Sequence, residues 1–86
     1  MKKVTKNSVA GTLESSDAYV TVETADTLTV EVQSAVAAQY GQSIKESVLS
    51  VVKLMDVGPC KILVNDRGAL DCVIKARVET ALRRAL

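Results

Sequence analysis

The apolar residues of this chain change their period twice, and that change limits the folds open to it. From Ala18 to Thr24 they alternate, with Val20 and Val22 on one face and Tyr19, Thr21 and Glu23 on the other. Leu28, Val30 and Val32 repeat the pattern. Period two with β-branched residues predicts half-buried strands. The short Thr24-Ala25-Asp26-Thr27 segment between them predicts a hairpin, its strands antiparallel with one wet face. From Ala35 to Met55 the spacing becomes three or four: Val36, Tyr40, Ile44, Val48, Val51 and Met55 form a helical stripe.

Two helix starts are open. Ser34 can cap a long helix that tolerates Gly41, or Ser43 and Glu46 can form a capping box and start it later. Gly58-Pro59 is the predicted stop. Upstream, Val9 to Asp17 predicts a short strand running into an exposed turn at Gly11. Downstream, Ile62-Leu63-Val64 predicts a brief strand and Asn65-Asp66-Arg67-Gly68 a turn. From Ala69 to Leu86 a second helical stripe carries Leu70, Val73, Ile74, Val78, Ala81, Leu82 and Ala85. The order is β-β-β-α-β-α over a single domain, residues 1–86. The expected fold is α+β, a two-layer sandwich: a mixed sheet of three or four strands with two helices on one face.

Composition narrows the function classes. The chain has no His, Trp or Phe, so the commonest proton shuttle and metal ligand is missing. The carboxylates are dispersed and no Gly-rich phosphate loop is present, so unaided catalysis has little support. A formal net charge of +1 argues against nucleic-acid binding by phosphate neutralisation. No apolar run reaches the roughly 18 residues of a membrane span. The N-terminus lacks the apolar core of a signal peptide, so a cytoplasmic location is expected. Cys60 and Cys72 fit neither a CxxC motif nor a zinc set. Both lie in apolar patterns and are expected to be buried, inert free thiols.

Charge is unevenly laid out. Between Lys6 and Lys45 there is no basic residue, while Glu14, Asp17, Glu23, Asp26 and Glu31 fall in that interval. From Lys45 onward eight basic residues face five acidic ones. Either the acidic half is a solvated strand face, or it steers docking to basic partner surfaces.

Gly11-Thr12-Leu13-Glu14-Ser15-Ser16-Asp17 is the most unusual segment. One reading is a hydrophilic loop whose Ser and Asp side chains cap backbone groups. The other is an attachment site: an exposed serine hydroxyl can form a phosphodiester, and flanking acids mark it for a cation-lined transferase.

VAGTLESSD, taken with NDRGALDCVIKARVETAL near the C-terminus, resembles the citrate lyase acyl carrier protein family, the γ subunit of that complex. The similarity covers nearly the whole chain, including the QYG segment before the long helix. The carrier subunit of malonate decarboxylase is the alternative; an unmodified protein-interaction module is another. The resemblance implies a non-catalytic subunit carrying 2′-(5″-triphosphoribosyl)-3′-dephospho-CoA through a phosphodiester to one serine. That serine falls on Ser15; some members have Gly at the position of Ser16. Glu14 and Asp17 are the implied recognition residues. The implied partners are the α subunit, which exchanges acetyl for citryl on the carrier thiol, and the β subunit, which releases oxaloacetate. A holo-carrier synthase installs the group. Neither nucleic acid nor membrane is an expected partner, and the setting is citrate fermentation.

Overall fold

A computed structural model describes residues 1–34 and 37–86, with the side chains of all of these except 37–40. The elements run β1 (Ser8–Gly11), β2 (Ala18–Thr24), β3 (Thr29–Ser34), α1 (Ala37–Met55), β4 (Cys60–Asp66) and α2 (Asp71–Ala85). The expected order and the α+β class are found. The four strands form one mixed sheet in the order β1-β2-β4-β3.

The predicted β2–β3 hairpin is not formed. β4 lies between them, antiparallel to β2 (Val20↔Val64, Val22↔Ile62) and parallel to β3 (Val30↔Ile62, Val32↔Val64). β4 carries the apolar run Ile62-Leu63-Val64, and the central place pairs its backbone on both edges. Strands on either side of β4 stand about 10 Å apart, twice the strand spacing. Residues 25–28 span that distance easily, since extended chain reaches about 3.3–3.6 Å per residue. A short linker between two strands therefore does not make them neighbours. The parallel β3–β4 pair needs a long crossover, and α1 is that crossover.

In register, Ala10, Val20, Val22, Val30, Ile62 and Val64 point to one face and are buried. Both helices cover this face, α1 packing on β3 and α2, and α2 on β1 and β2. Ile44, Val48 and Val51 of α1 and Ile74, Val78, Ala81, Leu82 and Ala85 of α2 complete the core. Each fully buried Val, Ile or Leu contributes about 1.5–3 kcal/mol. The opposite sheet face, with Tyr19, Thr21, Glu31 and Leu63, is half-buried or exposed.

Gly41 lies inside α1, so the helix starts before Ser43, and Ser43 and Glu46 are interior; the junction between Ser34 and the helix, residues 35 and 36, lies outside the described residues. Ser34 ends β3, and its hydroxyl donates to Asp66 Oδ2 at 3.0 Å. Of the expected stripe, Val36 and the Tyr40 side chain lie outside the described residues. The helix stops before Gly58-Pro59. Asp56 takes φ +53°, Asp56 N donates to Lys53 O (3.2 Å), and Val57 N to Val52 O (3.2 Å). These two bonds are a Schellman ending with an aspartate in the left-handed position.

Leu70 is also corrected. It is the N-cap of α2 and 71% exposed, because the helix starts after it and the buried stripe begins at Ile74. Residues before β1 pack too: Val4 is buried, Gly58 N donates to Lys2 O (2.7 Å), and Thr5 N to Ala85 O (2.9 Å).

Candidate functional site

β1 and β2 are joined by residues 12–17, the loop singled out in the sequence. Gly11 enters it at φ +92°. Asp17 N donates to Glu14 O at 3.1 Å, closing a turn with Ser15 and Ser16 as its central residues. Ser16 sits at φ +66°. A left-handed third position is what a type II turn requires, and glycine meets it most easily.

Ser15 is exposed at the tip of the turn, as are Leu13, Glu14 and Ser16. Among the described residues, none hydrogen-bonds to the Ser15 hydroxyl. The loop around it is held firmly. Ser16 N donates to Arg67 O (2.8 Å) and Arg67 N donates to Asp17 O (2.9 Å), which ties the tip to the turn after β4. Thr12 Oγ1 donates to Asp17 Oδ2 (2.7 Å) and accepts from Glu14 N (3.2 Å).

The two acids beside Ser15 differ. Glu14 is exposed. Asp17 is only 15% exposed in its side chain and receives Arg77 Nε on Oδ1 and Arg77 Nη2 on Oδ2, both at 2.9 Å. Ala18 N also donates to Oδ1, at 2.7 Å. The Arg77 guanidinium, then the Thr12 hydroxyl and the Ala18 amide, hold the Asp17 carboxyl far below the usual carboxylate range. Arg77 lies sixty residues away, on α2 between the buried Ile74 and Val78. By sequence pattern alone it is surface decoration on the second helix. Its place beside two core positions is the available signal.

The turn after β4 is organised by Asp66, which is buried and accepts from Gly68 N (3.1 Å), Ala69 N (2.8 Å) and the Ser34 hydroxyl. It carries Arg67, exposed and without an ion pair among the described residues. For a phosphate-bearing group on Ser15, the residues present fit. The hydroxyl is open to solvent, nothing among the described residues packs over it, and Arg67 offers a cation on the adjoining turn. A surface hollow of about 770 Å³ near Thr24, Asp26 and Pro59 lies at the other end of the sheet. No group of three or more metal-ligating side chains occurs among the described residues. No helix among them is long and apolar enough to cross a membrane.

The thiols divide, against expectation. Cys60 is fully buried in the core, which pushes its thiol pKa up. Cys72 is exposed, because it stands in the first turn of α2 on the side away from Ile74.

Comparison with known proteins adds a family. A family model described as an acyl carrier protein, malonate decarboxylase delta subunit (MdcD), matches residues 5–85. The chain is 48% identical over 83 residues to the citrate lyase acyl carrier protein of Haemophilus influenzae (strain PittEE), covering 96% of this chain and 87% of the relative. It is 50% identical over 84 residues to that of Pectobacterium atrosepticum, covering 96% and 88%. A solved Pseudomonas malonate decarboxylase hetero-tetramer in complex with malonate contains a chain that superposes with a TM-score of 0.75 at 22% identity. That match covers 96% of this chain and 87% of the other, and shows a shared fold. From the family model and these relatives together, the chain belongs to the acyl carrier family that includes the citrate lyase acyl carrier proteins.

Proposed function

We propose that this protein is the acyl carrier subunit of a citrate lyase and is modified on Ser15. The observation that carries the reading is the placement of Ser15: an exposed hydroxyl, unpaired among the described residues, at the tip of a turn whose flanks are fixed to the turn after β4 and to α2. A carrier needs no catalytic side chain, since the thiol of its prosthetic group supplies the chemistry. The protein supplies a rigid mount and a recognition surface.

The proposed donor is 2′-(5″-triphosphoribosyl)-3′-dephospho-CoA, and the group it leaves on Ser15 is 2′-(5″-phosphoribosyl)-3′-dephospho-CoA. In loading, Ser15 Oγ bonds to the donor's innermost phosphorus and loses its proton to a base of the transferase. The bond to the outer two phosphates breaks and pyrophosphate leaves. Arg67 is the cation on this chain placed to meet phosphate beside Ser15, and Glu14 is the acid free to meet a basic transferase surface. Tethering makes each encounter with the α and β subunits intramolecular, at effective concentrations of order mM for a short flexible link. The proposed compartment is the cytoplasm.

The test is intact mass after incubation with a holo-carrier synthase and the donor. The parent gains one group, mapped to the peptide containing Ser15; Ser15→Ala gains none and Ser16→Ala is loaded. A Ser15→Ala variant loaded like the parent would overturn the assignment. The family model and the fold match also support a malonate decarboxylase carrier as a second reading. Incubating the loaded protein with each complex separates them: citryl exchange supports the first, malonyl exchange the second.

A further inference from the structure

We propose that Asp17 and Arg77 act as a positioning pair that holds Ser15 for modification, and that Asp17 is not a docking group for the transferase. This rests on the reading of Ser15 as the attachment site. A carboxylate offers about four acceptor sites. In Asp17 four donors fill them: Ala18 N and Arg77 Nε on Oδ1, Thr12 Oγ1 and Arg77 Nη2 on Oδ2. A cation from a visiting enzyme would have to displace one of these bonds to reach Asp17. Glu14, exposed and outside every ion pair among the described residues, meets such a cation without that cost.

The pair links a core helix to the loop. Arg77 is anchored on α2, and its stem passes close to Gly11, where a Cβ would stand 3.2 Å from Arg77 Cδ. The absence of that Cβ lets the fork reach Asp17. From there the Thr12 hydroxyl carries the connection to Glu14 N. Ser16 holds a left-handed conformation that a serine leaves readily unless its neighbours are fixed. Asp17 is its fixed neighbour on the C-terminal side. With Arg77 removed, the turn loses its link to α2 and Ser15 samples more directions, so fewer encounters place its oxygen for attack. A misplacement of this kind lowers the rate of the chemical step more than it weakens binding.

The experiment compares Arg77→Gln, Asp17→Asn and the double variant in loading by the transferase. Steady-state kcat and KM are measured beside native-state amide exchange. We expect each single variant to lose about tenfold in kcat with KM changed less than about threefold. Exchange at the Ser16 and Asp17 amides rises about tenfold while that at Ile62 and Val64 is unchanged. The double variant is no slower than the worse single one, because both remove one interaction. An Asp17→Asn change that raises KM and adds to Arg77→Gln would make Asp17 a contact with the enzyme and overturn the proposal. Faster loop exchange with undiminished kcat would make the pair merely structural and also overturn it. If the parent takes up no group on Ser15, the functional reading itself fails. If the parent loads normally and Arg77→Gln loads as fast, the positioning role alone fails.

Discussion

Gly11 and Ala18 lie against each other so closely that a Cβ on Gly11 would stand 1.8 Å from the Ala18 carbonyl oxygen. The obstacle is backbone, which has nowhere to retreat inside the β1–β2 pair. The φ of +92° adds strain for any side chain. Gly11→Ala should therefore cost about 2–4 kcal/mol. That lowers the melting temperature by about 8–32 °C in a domain of this size. Gly68 shares the left-handed angle but faces open space. Gly68→Ala should cost only about 1–2 kcal/mol. Equal losses in the two variants, read by thermal unfolding, would show that the Ala18 contact is not the cause.

Gly41 gives the opposite sign. It lies within α1, and a methyl group added there would meet nothing within 4 Å; its φ is not positive. Gly41→Ala should stabilise by about 0.5–1 kcal/mol, since glycine loses more backbone entropy in a helix. The melting temperature should rise by about 2–8 °C.

What the sequence disclosed, and what it hid, follows from the range of each interaction. The alternation at Val20 and Val22 and the stripe at Ile44, Val48 and Val51 are local patterns, and both elements form where they predict. The place of β4 between β2 and β3 is a tertiary choice made by Ile62 and Val64 seeking partners on both edges. No local pattern encodes it. The loop at Ser15 was legible as a polar segment and through its family resemblance. The bond from Asp17 to Arg77 was not, because sixty residues separate them. Leu70 misled for a simpler reason: it continues the helical spacing one residue beyond the helix.

The Asp17 carboxyl gives the fold a dependence on acid. Its hydrogen bonds from Arg77, Thr12 and Ala18 depress its pKa in the folded state, while the unfolded chain titrates near 3.9. The associated stability is complete above about pH 4 and is lost progressively as pH falls below that value. Urea midpoints measured at pH 5, 3 and 2 should drop for the parent and drop less for Asp17→Asn. Asp71, lowered by Ser47 and Lys75, leaves a residual slope in the variant. An unchanged acid slope in Asp17→Asn would mean that the loop is not held through this group.

The two cysteines should react on different time scales. Cys72 is exposed and Cys60 is fully buried with a raised pKa. A thiol reagent at pH 8 should add once to the native protein, at Cys72, and twice after unfolding. Alkylation at Cys72 should leave loading of Ser15 intact, since the carrier thiol belongs to the prosthetic group. Native labelling at Cys60, read by peptide mass, would show that β4 opens far more often than its central position implies.

Asp56 ends α1 in the left-handed conformation, at φ +53°, where glycine carries no steric penalty. Asp56→Gly should stabilise by about 1 kcal/mol and raise the melting temperature by about 4–8 °C. The aspartate's one ion pair among the described residues, with the Met1 amino group at 3.8 Å, is 71% exposed on both sides. Such pairs contribute little, so losing this one does not reverse the sign. The backbone bonds Asp56 N to Lys53 O and Lys2 N to Asp56 O survive the change. Asp56→Val is the control: a β-branched side chain in the same conformation should destabilise by more than the glycine gains. If Asp56→Gly melts at or below the parent temperature, the helix end is held by the carboxylate and not by the backbone geometry.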